Sequence, residues 1–156
     1  MSFATRGGWW VVSQAILLGL YVIALGFTEP VTSGFGLGYA RVVGWLLVVA
    51  SVVMGGWALA LLGRRLSPFP APTDDALLMT RGPFRLVRHP MYGAVIIGAV
   101  GLALAFVSPG ALVMSLAFPV FFMAKVGHEE DLLMARFPAY RDYRSTIPHR
   151  LLPWLL

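Results

Sequence analysis

Apolar residues fall along the chain in four long runs, and the polar residues crowd into the gaps between them. The first run, Trp9 to Phe27, carries no charge over 19 positions. The second, Val42 to Leu62, closes on Gly63-Arg64-Arg65. The third, Met91 to Val107, and the fourth, Ala111 to Val126, are separated only by Ser108-Pro109-Gly110. A helix rises about 1.5 Å per residue, so about 20 residues cover the roughly 30 Å hydrocarbon core of a bilayer. The first two runs meet that length. The last two, of 17 and 16 residues, lie at its lower end and need polar groups close to their ends. A Ser-Pro-Gly joint makes them an antiparallel hairpin, and Pro119 predicts a kink in the fourth. The pattern predicts an all-α, polytopic membrane bundle of about four transmembrane helices, over residues 9–27, 42–62, 91–107 and 111–126.

Between the runs the residues change character. Thr28 to Tyr39 is Gly-rich and holds Pro30, which predicts a loop. Ser67 to Asp75 carries three prolines in five positions and cannot be a regular helix; Ala76 to Thr80 predicts a short interfacial turn. Ser51-xxx-Gly55 and Gly56-xxx-Ala60 in the second run let a neighbouring helix approach closely, and Gly93, Ala94, Gly98 and Gly101 in the third permit close approach by a helix or a ligand. From Glu129 to Arg144, the residues Leu132, Leu133, Phe137, Tyr140 and Tyr143 recur at three- and four-residue steps with charges between them. That predicts a C-terminal amphipathic interfacial helix, interrupted near Pro138. The tail from Ile147 to Leu156 is irregular through Pro148 and Pro153, yet apolar, and should fold back on the protein or the bilayer. The length predicts a single membrane domain, 1–156.

Composition turns the pattern into a class. The chain is 58% hydrophobic and 12% charged, with a mean hydropathy of +0.78, whereas a soluble domain has about 25% charged residues. Its net charge of +5 does not point to nucleic acid, because the basic residues border apolar spans and no soluble recognition module accompanies them. They record topology instead. Arg6, Arg64, Arg65, Arg81, Arg85, Arg88, Lys125, Arg136, Arg141, Arg144 and Arg150 fall on one side of the four spans; only Arg41 falls on the other. The positive-inside rule then places both termini in the cytoplasm. Arg6 ahead of an apolar run resembles a signal peptide, but that run ends at Glu29-Pro30 without a small-residue cleavage pattern, so the span is expected to be retained. The chain has no cysteine, which excludes disulfides, thiolate metal sites and a cysteine nucleophile. His89, His128 and His149 lack metal-ligand spacing, and no metal is expected. Neither a Gly-x-Ser-x-Gly elbow nor a phosphate loop is present.

The candidate chemistry lies in two polar clusters, Thr80 to Tyr92 and Lys125 to Asp131. The hairpin should bring them to the same membrane face, with Arg88 and His89 approaching Lys125, Glu129 and Glu130. Carboxylates there can accept from an ammonium or from ribose hydroxyls, and an arginine can clamp a carboxylate with two parallel bonds. Each residue also has a plainer role. Lys125 and Glu129, four apart on one helix, make a surface ion pair worth about a few tenths of a kcal/mol. Arg81, Arg85 and Arg88 can anchor to lipid headgroups, His89 can cap the third helix, and Pro90 suits a first helical turn. The spacing alone describes a polar site at a membrane surface.

Gly82-Pro83-Phe84-Arg85-x-x-Arg88-His89-Pro90-Met91-Tyr92, with Glu129-Glu130, Phe137-Pro138, Tyr140-x-x-Tyr143 and Pro148 further on, resembles the motif of the isoprenylcysteine carboxyl methyltransferase family and its phospholipid methyltransferase relatives. The likeness covers about half the chain, Thr80 to Pro153. It implies a small helical membrane bundle that binds S-adenosylmethionine under a cytoplasmic flap, between elements 80–92 and 125–153. By the same resemblance Arg88, His89, Pro90, Tyr92, Glu129 and Glu130 would bind the cofactor, and Lys125 and Arg88 would serve catalysis. Lys125 stands where the prenylcysteine enzymes carry an arginine that orients the substrate carboxylate; it keeps the charge and loses the fork. Gly98-Ala99-Val100-Gly101 departs from the Gly-x-Gly of the phospholipid relatives. The implied activity is methylation of a lipophilic acceptor, a prenylated or lipid substrate, with carboxylate O-methylation favoured. Membrane lipids are the implied surroundings, and no obligate protein partner is expected. An NADPH-dependent sterol- or steroid-type reductase shares His-Pro-x-Tyr and Glu-Glu but carries Asn where this chain has Met91. A non-enzymatic membrane interaction protein is the third reading.

Overall fold

The computed structural model describes residues 3, 6–34, 36–63, 66–70 and 78–153. Arg64, Arg65, the second half of the proline-rich stretch (71–75), the start of the expected interfacial turn (76–77) and the end of the tail (154–156) lie outside the described residues. The elements run α1 (Gly8–Phe27), α2 (Leu37–Leu62), a 3-10 turn (Gly82–Arg85), α3 (Pro90–Ala105), α4 (Pro109–Ser115), α5 (Ala117–Arg136) and α6 (Tyr140–Thr146). The described residues form helices, turns and loops, without a strand. Among the described residues three stretches are long and apolar enough to cross a membrane: α1, α2 and the rod Pro109–Arg136 made by α4 and α5. The 16-residue α3 is a shorter apolar helix.

Several boundaries differ from expectation for identifiable reasons. α2 begins at Leu37, ahead of the apolar run at Val42, because Gly36 takes a left-handed turn at φ 87° that L residues avoid. The fourth run is interrupted at Leu116, between α4 and α5. Pro119 has no N–H to offer the Ser115 carbonyl and its ring presses on that turn; the Leu116 amide bonds three residues back, to Val113, at 3.2 Å. Past Val126 the helix does not end. α5 continues to Arg136, so the second polar cluster rides on the same rod as the fourth run rather than on a separate surface helix. It stops at Phe137 (φ −121°, ψ 102°), since a residue before proline is pushed out of the helical region.

Small residues decide which helices touch. α2 and α3 lie backbone to backbone: a Cβ at Gly44 would sit 2.3 Å from the Ala105 amide nitrogen, and one at Gly101 2.9 Å from the Gly44 carbonyl. Ser51 donates to the Ala94 carbonyl at 2.8 Å, with Gly55 beside Ala94 and Gly98 beside Ser51. The expected Gly56-xxx-Ala60 contact is not made: Gly56 meets open space and Ala60 is exposed. Behind α3, Tyr21 of α1 donates to the Ala99 carbonyl at 2.5 Å. Its ring packs with Phe118 in a buried cluster that includes Ile96, Phe122 and Leu151. The outer faces of α1 and α2, including Ile16, Val22, Leu46, Val49 and Val53, are exposed and apolar. An apolar surface of that extent belongs against lipid, where a helix satisfies its own backbone.

The tail folds onto the protein. The Arg88 and His89 amides donate to the His149 and Arg150 carbonyls at 3.0 and 2.8 Å, and Leu151 is fully buried.

Candidate functional site

The site starts from the turn before α3. Gly82, at φ 59°, lets the chain reverse into the 3-10 turn. Of the three arginines in this stretch, Arg81 and Arg85 stay exposed while Arg88 is buried. Arg88 Nε donates to Glu130 Oε1 at 2.6 Å, and its Nη1 donates to the Ile147 carbonyl at 2.6 Å. Glu130, 1% exposed, also accepts from the Tyr140 hydroxyl at 3.2 Å. His89 Nε2 lies 3.5 Å from Glu130 Oε1, and Arg150 Nε lies 3.4 Å from Oε2. A buried ion pair repays the loss of water only when further groups occupy its remaining donors and acceptors. Several groups converge on this carboxylate for that reason.

Burial, and next the Glu130 charge, push the Tyr140 hydroxyl far above its ordinary pKa. Burial also pushes Tyr143 up, to about 12, with Arg88 opposing it. Both rings therefore act as neutral hydroxyl donors. Tyr143 donates to the Phe84 carbonyl at 2.6 Å and ties α6 to the 3-10 turn.

Glu129 faces the other way. Its Oε2 accepts from the Tyr92 hydroxyl at 2.8 Å, and its Oε1 lies 3.8 Å from His89 Nδ1. Tyr92 stacks on Phe122, with ring centres 4.7 Å apart, and on His89 at 5.8 Å. Lys125, also 1% exposed, does not form the surface pair its spacing suggests. Its ammonium donates to Gln14 Oε1 of α1 at 2.6 Å and to the Pro68 carbonyl at 3.3 Å, and sits 5.0 Å over the Tyr92 ring. His89 occupies the N-cap position of α3 without a side-chain capping bond, so the capping role is not taken up.

These side chains border one cavity of about 550 Å³, within the roughly 300–1,000 Å³ of small-molecule sites. Arg88, His89, Pro90, Tyr92, Lys125 and Glu129 line it; Glu130 stands behind the wall, holding Arg88 from outside and lying beside His89. Segment 66–70, Leu78 and Met79 cover part of it, and Leu133, Phe137, Tyr140 and Tyr143 complete its apolar side. The hydrophobic period read from 132 to 143 is therefore real, but much of it faces this cavity. Among the described residues, two buried side-chain atoms, His89 Nε2 and Glu130 Oε2, have no hydrogen-bond partner. Buried polar groups without partners are rare in native proteins.

Gln14, which bonds the Lys125 ammonium, is a lining residue that the motif does not contain. Its signal was available: an amide inside an otherwise uncharged span costs enough that it marks a function or a partner. In the sequence Arg150 marks only topology, and nothing local ties it to Glu130.

With the geometry in place, residues 39–139 match a family model described as phospholipid methyltransferase. The chain is 32% identical over 152 residues to the nickel-cobalt-cadmium resistance protein NccN of Alcaligenes xylosoxydans xylosoxydans, covering 94% of this chain and 65% of that protein. It is 31% identical over 97 residues to the cobalt-zinc-cadmium resistance protein CzcN of Cupriavidus metallidurans, covering 61% of this chain and 45% of that one. The chain thus spans less than two-thirds of the length of either relative.

Proposed function

The chain belongs to the phospholipid methyltransferase family, and on that premise we propose that it is a multi-pass membrane methyltransferase that draws on S-adenosylmethionine. Its acceptor is a lipophilic molecule, with O-methylation of a carboxylate the favoured reaction. One observation carries this reading: a single cavity bordered by a carboxylate, Glu129, and a buried ammonium, Lys125, with the Tyr92 ring between them.

The residues fit a cationic donor and an anionic acceptor. Glu129 keeps a carboxylate at the cavity wall, suited to an ammonium or to ribose hydroxyls. The unpartnered His89 Nε2 and the lining Arg88 offer donors or an acceptor beside it. Pro90 and Tyr92 shape the wall, and Glu130 keeps Arg88 and His89 in place. When bound, S-adenosylmethionine supplies a methyl group on a cationic sulfur, whose bonding pair returns to sulfur as a carboxylate oxygen takes the methyl. No general base is needed for such an acceptor. What the protein contributes is alignment and exclusion of water. Lys125 holds the anionic end of the acceptor, Arg88 supports the charge at the same rim, and Val95, Leu62 and Leu66 receive its apolar body.

In the bilayer we assign four crossings, by α1, α2, α3 and the α4–α5 rod, within one domain. The ends of the chain and the cavity lie on the cytoplasmic side, and α6 rests at the interface. We carry no metal site over from the relatives' names: among the described residues no three His, Asp or Glu side chains are placed to hold an ion.

The test is calorimetry on purified protein with S-adenosylmethionine and, separately, NADPH. It is followed by transfer of a radiolabelled methyl group into a native lipid extract. The reading expects donor binding that His89→Ala and Glu130→Ala both weaken, and a labelled lipophilic product. Binding of NADPH alone would move the chain to the reductases. Binding of neither would leave a non-enzymatic membrane protein.

A further inference from the structure

The segment after α6 lies beyond the family match and lines no part of the cavity, yet it grips two buried basic residues of the site, Arg88 and His89. The Arg88 and His89 amides end on its His149 and Arg150 carbonyls, and the Arg88 guanidinium reaches its Ile147 carbonyl at 2.6 Å. Arg150 closes on Glu130 Oε2 at 3.4 Å. One residue on, the Leu151 side chain is fully buried and its carbonyl oxygen rests on the first turn of α3. That oxygen occupies the place a side chain at Gly93 would take: an added Cβ would lie 2.1 Å from it. The obstacle is backbone, which cannot rotate aside as a side chain can.

A stretch with no helix of its own takes its shape from what it touches. Here it touches the residues whose orientation the site needs. The carbonyls of 149 and 150 satisfy amides just outside α3 that no helical bond reaches, and such donors are costly to bury unpaired.

We propose that residues 147–151 are a strap that sets the placement of Arg88 and His89, with Gly93 as the saddle it crosses and Arg150 as its electrostatic latch on Glu130. All three are positioning elements, since none of them borders the cavity. The inference rests on the donor-binding reading only for its choice of probe.

The experiment uses the full chain in detergent and compares Gly93→Ala, Arg150→Met, Arg150→Lys and Gly127→Ala. The last is a control at which an added Cβ meets nothing within 4 Å. Amide hydrogen exchange at Arg88 and His89 is one readout, and calorimetric binding of S-adenosylmethionine the other. Gly93→Ala should speed exchange at these two amides and weaken binding by about tenfold or more, the scale of one buried donor left without a partner. Protection along the α2–α3 contact should stay unchanged. Arg150→Met should weaken binding while Arg150→Lys restores most of it, a rescue that lost packing alone would not give. Should Gly93→Ala fail to fold, the Arg150 pair decides. Wild-type exchange and affinity in Gly93→Ala, or equal affinities for Arg150→Met and Arg150→Lys, would overturn the strap. If the native protein binds no S-adenosylmethionine, the donor reading falls, and exchange in Gly93→Ala still tests the strap.

Discussion

The two ends of the α3 helix are made from the same apolar material and finish differently. Near Ala105, α2 and α3 meet through Gly44 and Gly101, and the gap toward α1 is closed by the Thr28 and Ser108 hydroxyls, which bond each other. Near Pro90, the bulk of Met91, Tyr92, Val95 and Lys125 borders an opening of about 550 Å³. The closed end is held by contact and by neutral hydrogen bonds, each complete within the protein. The open end is held by charges, and removing one partner of a buried pair is costly. Side-chain size thus decides where the bundle opens, and charge decides how rigid the rim of the opening is.

The largest effect should come from breaking the charged rim. Glu130→Ala leaves Arg88 buried without its carboxylate, and loss of one partner of a buried pair costs about 3–5 kcal/mol. Thermal unfolding in detergent should show a large drop, and an unchanged midpoint would mean that the rim is not held by charge. Next comes Lys125→Met. Among the described residues the Lys125 ammonium bonds to neutral oxygens, of Gln14 and Pro68, so an apolar replacement of similar length should keep or raise stability. Transfer to a carboxylate acceptor should fall by about a hundredfold, the scale of one lost electrostatic contact to the reacting group, while donor affinity holds. Equal loss of donor affinity would place Lys125 on the wrong partner.

At the closed end, Gly44→Ala forces a methyl against the Ala105 backbone and should cost about 1–3 kcal/mol through overpacking. Ligand affinity of the protein that remains folded should not change, which separates the two ends in one measurement. The smallest effect is Ser51→Ala. It removes the bond to the Ala94 carbonyl, and such bonds between membrane helices average about 0.6 kcal/mol. A loss several times larger would show that polar bonds, rather than close approach, hold α2 to α3.

Much of this was legible beforehand. Hydrophobic run lengths located α1 and α2, and the Ser-Pro-Gly joint announced the hairpin that brings His89 within 3.5 Å of Glu130. The family resemblance pointed to Arg88, His89, Pro90, Tyr92, Lys125 and Glu129, which line one cavity. These are local properties: a run of apolar side chains or a proline acts on the residues beside it.

The remainder depended on residues far apart in the chain. Arg81, Arg85 and Arg88 are chemically alike, and only the fold of the turn against α5 and the tail sends Arg88 inward alone. Helical spacing put Lys125 beside Glu129, but Tyr92 from α3 and Gln14 from α1 claim them separately. The apolar period from Leu132 to Tyr143 told which side is greasy without telling whether lipid or a cavity lies against it. Periodicity fixes the direction a side chain leaves its own helix; what it meets there is settled by the packing of all the others.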